Sequence, residues 1–210
     1  MSAVTMVCFD WGGVILRICR SFAQGCERAG LDVRLETDDR ELYSVRHALS
    51  GAYQLGRLDE RAFFEGVSRS MRGAYSPDEI AMIHDAWLIE EYPGVRTLVD
   101  DLHRLGGVET GMLSNTNARH WARRERDFTT AGLLGSQHAS HLLGLAKPDP
   151  AIFRAFERRT GQAPGGIVFF DDLPENVDAA RRAGWRGVLI DHVGDTAAQM
   201  RSALRDLGVL

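Results

Sequence analysis

Short apolar runs that end in acidic residues or glycines alternate with helical stretches along most of this chain. Residues 3–9 (AVTMVCF) are apolar and rich in β-branched side chains, and they run into Asp10 and a glycine pair. That is the pattern of a buried strand ending in a tight turn. Similar runs recur at 108–113, 167–170 and 188–190, each followed by polar or acidic residues. Between them, residues 95–105, 150–159 and 174–183 have helical periodicity, and Gly106, Gly107, Gly161 and Gly184 stand where those helices should stop. Strand, helix, strand alternation of this kind predicts a doubly wound parallel α/β sheet.

Residues 17–92 break the rhythm. They show no convincing strand and four helical segments, at 20–29, 39–54, 60–72 and 78–91. The last has a clear start: Ser76 as N-cap, Pro77 at the first helical position and Glu79 to close a capping box. Ile80, Ile83 and Trp87 then form an apolar stripe. The sheet resumes only near Pro93 and Gly94. We therefore expect a core formed by residues 1–16 and 93–210, with a helical cap of residues 17–92 inserted after the first strand.

Composition narrows the classes. The chain has 210 residues, 44% of them apolar, and a formal net charge of −4. That is length for one domain with a sizeable insertion and for a real core. The acidic balance argues against a nucleic-acid partner. No stretch approaches the ~20 uninterrupted apolar residues of a membrane helix, and no signal-peptide pattern opens the chain. A cytoplasmic location is the expectation. Cys8, Cys19 and Cys26 have no CxxC or Cys/His spacing, so buried free thiols are expected rather than disulfides or a zinc site. Of 25 basic residues, 24 are Arg and one, Lys147, is Lys.

In a parallel sheet, ligands bind beyond the carboxyl ends of the strands. Here those ends carry Asp10-Trp11-Gly12-Gly13, Ser114-Asn115-Thr116-Asn117 and Asp171-Asp172, and Lys147-Pro148-Asp149 precedes a helix. Each piece alone has a plain structural use, as turn former, helix cap, solvated loop or surface lysine. Together they supply carboxylates for Mg²⁺, hydroxyl and amide donors for phosphate oxygens, and an ammonium to offset charge. That set describes phosphoryl transfer.

The same residues carry a family resemblance that spans the chain. Phe9-Asp10-Trp11-Gly12-Gly13-Val14, Leu113-Ser114-Asn115-Thr116, Gly144-Leu145-Ala146-Lys147-Pro148-Asp149-Pro150 and Phe169-Phe170-Asp171-Asp172, continued by Glu175-Asn176, resemble the four motifs of the haloacid dehalogenase-like (HAD) hydrolases. The chain is most similar to the capped bacterial branch that includes sugar-1-phosphate phosphatases. The resemblance implies a Rossmann-like core and Asp10 as a nucleophile that forms an aspartyl-phosphate. It implies Mg²⁺ held by Asp10, the Gly12 carbonyl and Asp172, with Asp171 nearby. Ser114, the Asn115 amide and Lys147 would bind the phosphoryl oxygens of a small phosphorylated metabolite.

One position departs from the family pattern. Phosphatases of this kind usually carry a second Asp two residues after the nucleophile, as general acid and base, a role worth roughly 10²–10⁴-fold. Here Gly12 stands there. A phosphatase whose substrate has an undemanding leaving group, such as an anomeric or acyl phosphate, is the preferred reading. A metal-free 2-haloacid dehalogenase and a catalytically decayed binding protein are the alternatives. Phosphonoacetaldehyde-type chemistry fails because residues 17–92 contain no Lys to form an imine. Arg46, His47, Tyr53 and Arg57 are candidates for substrate choice, and His47 or His120 for the missing acid. Residues 119–126 read as a charged, solvated helix. Monomer and homodimer both remain open.

Overall fold

The computed structural model of the protein describes residues 3–35 and 40–210. The expected helix start at residue 39 lies outside them. The first strand, β1 (Met6–Phe9), is completely buried and leads to a short strand β2 (Leu16–Ile18). Four helices follow: α1 (Phe22–Arg28), α2 (Arg40–Gln54), α3 (Glu60–Ser70) and α4 (Pro77–Ala86). The capping box at Ser76 and Glu79 is present on both sides. A strand β3 (Leu88–Glu91) and helix α5 (Val95–Leu105) return the chain to the sheet at β4 (Glu109–Ser114).

Three single-turn helices, α6 (Ala118–Trp121), α7 (Thr129–Gly132) and α8 (Ser140–Leu143), bracket strand β5 (Ser136–Ala139). Then come α9 (Pro150–Thr160), β6 (Ile167–Asp171), α10 (Pro174–Arg182), β7 (Arg186–Leu189) and α11 (Thr196–Asp206). The main sheet is wholly parallel in the order β5-β4-β1-β6-β7. Its succession reverses about β1, which sets the carboxyl end of β1 at the crevice where α/β sheets bind ligands.

Each face of the sheet buries its own apolar set. Val7, Phe9 and Phe170 pack toward Leu98, Leu102 and Met200 of α5 and α11. Cys8, Phe169 and Leu113 pack toward Phe153 and Phe156 of α9. A third core, among α1–α4, is built from Cys26, Phe63, Val67, Tyr75, Ile80 and Ile83. All three cysteines are free and buried. No described helix is long and apolar enough to cross a membrane.

Two sequence expectations are corrected here. Residues 17–92 do contain strand: β2 pairs antiparallel with β3, Leu16 opposite Glu91, as a ribbon under α1–α4. The helix expected over 78–91 therefore stops at Ala86, and the Trp87 carbonyl accepts the Cys19 N–H at 2.9 Å. Strands of three and four residues are too short to show alternation, and their partners lie far apart in sequence. The edge strand β5 (SQHA) escaped notice for a related reason, having no apolar run at all.

Candidate active site

β1 delivers Asp10 to the crevice. Its backbone N–H is held by the Phe170 carbonyl at 2.8 Å. The chain then turns back at once: the Gly13 N–H donates to the Leu16 carbonyl at 2.7 Å and the Leu16 N–H to the Trp11 carbonyl at 2.8 Å. Gly13 has φ 81°, and a Cβ there would lie 2.3 Å from the Asp172 carboxylate. Only glycine both adopts that turn and admits Asp172 against the backbone.

The neighbouring strand β6 brings Asp171, which no solvent reaches, and Asp172 just beyond it. Asp10, Asp171 and Asp172 each present a carboxylate oxygen within 4.8 Å of the others. Three such groups repel one another unless cations intervene, and two do. The Lys147 ammonium, on a side chain of 0% exposure, lies 3.0 Å from Asp10 Oδ1 and 2.7 Å from Asp171 Oδ2. Arg20 Nη1 donates to Asp172 Oδ2 at 2.7 Å.

The carboxylates are not equivalent. Asp171 is saturated: Oδ1 accepts the Leu173 N–H at 2.9 Å and Asn176 Nδ2 at 3.0 Å, and Oδ2 accepts Lys147. It holds Lys147 in place. On Asp10, Oδ1 takes both the Trp11 N–H at 2.7 Å and the lysine, so the contacts of the described residues leave Oδ2 available. Asp172 likewise has its contacts on Oδ2 alone. Burial pushes the Asp10 carboxyl above the usual carboxylate range, and Lys147 opposes that rise. Burial alone would lower the lysine, but Asp10 and Asp171 outweigh it and keep the ammonium charged.

Ser114 is buried at the end of β4, the strand beside β1. The Asn115 side chain turns to Lys147: its Nδ2 donates to the Lys147 carbonyl at 2.8 Å and its Oδ1 accepts the Lys147 N–H at 2.9 Å. Asn115 thus fixes the backbone from which the ammonium projects. All residues expected at the site meet at one edge of the sheet.

A cavity of about 460 Å³ lies between the sheet loops and α1–α4, bordered on the sheet side by Trp11, Gly12, Ser114 and Asn115 rather than by the carboxylates or Lys147. Arg46, His47 and Tyr53 line it as expected. Arg57 does not: it is exposed beyond Gly56, whose backbone packs so close to the His141 carbonyl that a Cβ would sit 2.7 Å from it. His120 faces the cavity, but stacked on His84 at 3.9 Å between ring centroids. Its Nε2 is 2.8 Å from the His84 carbonyl. Burial pushes His120 down to about 4 and His84 well below the usual value, so both rings are neutral at pH 7.

The charged stretch at 119–126 is also corrected. The helix ends at Trp121, and the arginines are individually partnered: Arg119 with Asp85 and Glu60, Arg123 with Asp127 and the Asp85 carbonyl, Arg124 over the Trp121 ring. Sequence reasoning missed Arg20 and His84. Neither lies in a motif, and only the placement of α1 and α4 over the sheet brings them in.

A site of clustered carboxylates around a buried lysine, at the switch point of a parallel sheet under four helices, defines a class of hydrolase. Residues 4–184 match the family model for haloacid dehalogenase-like hydrolases, and the chain belongs to that family. It is 28% identical over 150 residues to Phosphatase MT3486 of Mycobacterium tuberculosis, covering 70% of this chain and 69% of the relative. To a phosphoglycolate phosphatase of Pseudomonas putida it is 26% identical over 185 residues, covering 85% and 66%. Among solved structures, a HAD family enzyme of Bacteroides thetaiotaomicron superposes with a TM-score of 0.79 at 20% identity, over 95% of this chain and all of that one. The L-2-haloacid dehalogenase of Xanthobacter autotrophicus, with chloropropionic acid covalently bound, superposes at 0.65 and 16% identity, over 99% and 84%. These likenesses show the fold.

Proposed function

We propose that this hydrolase is a Mg²⁺-dependent phosphatase that cleaves a small phosphate monoester through an aspartyl-phosphate on Asp10. Residues 17–92 act in this reading as a cap over a core of residues 1–16 and 93–210. The observation that carries it is the Lys147 ammonium bonded at once to Asp10 and Asp171. An anionic nucleophile approaches a phosphate dianion only where fixed positive charge offsets both. The phosphatase names of the curated relatives support the same class, as does a Bacteroides thetaiotaomicron neighbour whose structure holds magnesium and inorganic phosphate.

The donor set fits Mg²⁺. The ion favours hard oxygens, takes few protein carboxylates and keeps room for water and phosphate. Asp172 retains an oxygen clear of described contacts, and it would hold the ion together with the Asp10 carboxylate, whose Oδ2 is left for attack, and the Gly12 carbonyl of the turn that follows Asp10. When bound, the ion supplies positive charge beside the transferring phosphoryl group. Asp10 attacks with Oδ2, because Oδ1 is engaged. Ser114 Oγ, the Asn115 N–H and Lys147 Nζ bind the phosphoryl oxygens. Asp171 and Asn176 hold Lys147 and its charge in position. The substrate is a small phosphorylated metabolite, sugar phosphates included, and three buried thiols suit a cytoplasmic setting.

The test is phosphate release by the purified protein from a panel of esters with Mg²⁺. Release should stop with EDTA and with Asp10→Asn, and a panel that yields no phosphate sinks the reading. Chelator-insensitive chloride release from 2-chloropropionate would instead favour a dehalogenase, a chemistry in which Asp171 still holds Lys147 but Asp172 has no cation to bind.

A further inference from the structure

The space opposite Gly12 is not empty. A Cβ built on Gly12 would lie 3.0 Å from Ile18 Cδ1 and 3.5 Å from Cγ2. Ile18 is anchored by the β2–β3 ribbon, where it faces Leu88. Gly12, Leu16, Ile18 and Leu88 all line the cavity between the sheet loops and α1–α4. The region that a second carboxylate would occupy next to the nucleophile is therefore aliphatic.

His47 stacks on Tyr43 with ring centroids 5.8 Å apart, burial pushes the Tyr53 hydroxyl up to about 12, and the titratable groups nearer the sheet edge are committed elsewhere. Asp171 is saturated by Lys147, Asn176 and the Leu173 N–H. Asp172 Oδ2 is held by Arg20. His120 Nε2 faces the His84 carbonyl at 2.8 Å and its Nδ1 faces Asn117 Nδ2 at 3.4 Å, while His84 Nε2 faces Asn117 Oδ1 at 3.3 Å. Burial keeps both rings uncharged, and a neutral imidazole is a poor acid.

Resting on the phosphatase reading, we propose that the leaving group departs as an anion with no proton from the protein, and that the substrates are phosphates of acidic hydroxyls, acyl phosphates above all. In the first step Asp10 Oδ2 forms a bond to phosphorus as the bond from phosphorus to the leaving oxygen breaks. The electron pair stays on that oxygen, which in an acyl phosphate leaves as a stable carboxylate. In the second step water attacks phosphorus, the bond to Asp10 breaks with its pair returning to the carboxylate, and both water protons leave on the phosphate. No protein base is consumed. Ile18 offers the departing oxygen no proton, which an acidic leaving group tolerates and an ordinary alcohol does not.

The experiment is a leaving-group series on the wild-type protein with Mg²⁺, from dinitrophenyl to unsubstituted phenyl phosphate, with acetyl phosphate and glycerol 3-phosphate alongside. kcat/KM should fall about tenfold for each unit rise in the pKa of the leaving phenol, as expected without general-acid help. Acetyl phosphate should exceed glycerol 3-phosphate by roughly a thousandfold, within the range general acids supply. Phosphate release with a flat series overturns the inference and leaves the phosphatase reading standing. No release from any ester, dinitrophenyl phosphate included, overturns both. The double change Gly12→Asp, Ile18→Ala opens the space to a carboxyl group and should flatten the series, and an unchanged slope in the folded variant counts against the assignment of Ile18.

Discussion

Arg119 grips Asp85 through two parallel hydrogen bonds, Nε to Oδ1 and Nη2 to Oδ2, each 2.6 Å long. Its remaining Nη1 reaches Glu60 Oε1 at 2.7 Å. Arg119 stands in α6 at the end of the β4 loop, and Asp85 near the end of α4, so the fork joins the two walls of the cavity. The side chains are 30% and 41% exposed, which screens the charges. A double-mutant cycle of Arg119→Ala and Asp85→Ala should give a coupling of about 0.5–1 kcal/mol in urea unfolding. No measurable coupling would show that packing alone joins the walls.

Lys147 cannot be exchanged for the residue this chain uses elsewhere. Its ammonium fits between two carboxylates at 3.0 and 2.7 Å, with Asn115 fixing its backbone. The planar guanidinium of Lys147→Arg is too large for that slot. Activity should fall by roughly 100-fold or more. Lys147→Met leaves two buried carboxylates facing each other and should cost about 3–5 kcal/mol of stability at neutral pH. Denaturant melts of the two variants separate the two effects, and full activity in Lys147→Arg would remove Lys147 from the phosphoryl site.

Arg20 shares Asp172 with the proposed Mg²⁺ site. The 2.7 Å pair occupies Asp172 Oδ2 and leaves the other oxygen clear, but the arginine's positive charge opposes a cation beside it. Arg20→Gln should therefore tighten Mg²⁺ binding about fivefold, the equivalent of about 1 kcal/mol. The readout is the rise in melting temperature with Mg²⁺ in the absence of substrate. An unchanged Mg²⁺ response would show that Arg20 leaves the ion's place free.

The stacked His84 and His120 make stability depend on pH in one direction. Both are held below their unfolded proton affinity, His120 at about 4 against 6.5. Between those values the unfolded chain binds the extra protons, so stability falls as pH drops through that window. His120 alone should cost roughly 3 kcal/mol between pH 6.5 and 4, and His84 adds to that loss, read from urea unfolding at several pH values. His120→Gln should flatten that slope, whatever it does to stability at pH 7.

Much of this molecule was legible before any coordinates. α5 spans residues 95–105 as its apolar spacing and the following glycines predict, and the Ser76–Glu79 capping box forms. Those signals are local, and local chemistry is enough to produce them. Asp10, Ser114, Asn115, Lys147, Asp171 and Asp172 were all expected at one sheet edge. The β2–β3 ribbon and β5 were not, because strands of three or four residues take their stability from distant partners. The end of the helix at Ala86 follows from the same ribbon.

By itself, then, the sequence determined the parallel sheet, the helices that cover it and which residues stand at its strand ends. Even the single lysine among 24 arginines stood out as one residue type in one place. What the tertiary structure alone decided is how those residues share their contacts. Asp171 is spent on Lys147 while Asp10 keeps an oxygen free, Arg20 reaches Asp172 from the far side of the turn, and Ile18 fills the gap at Gly12. Each depends on distances between segments that are remote in the chain, and periodicity carries no information about those.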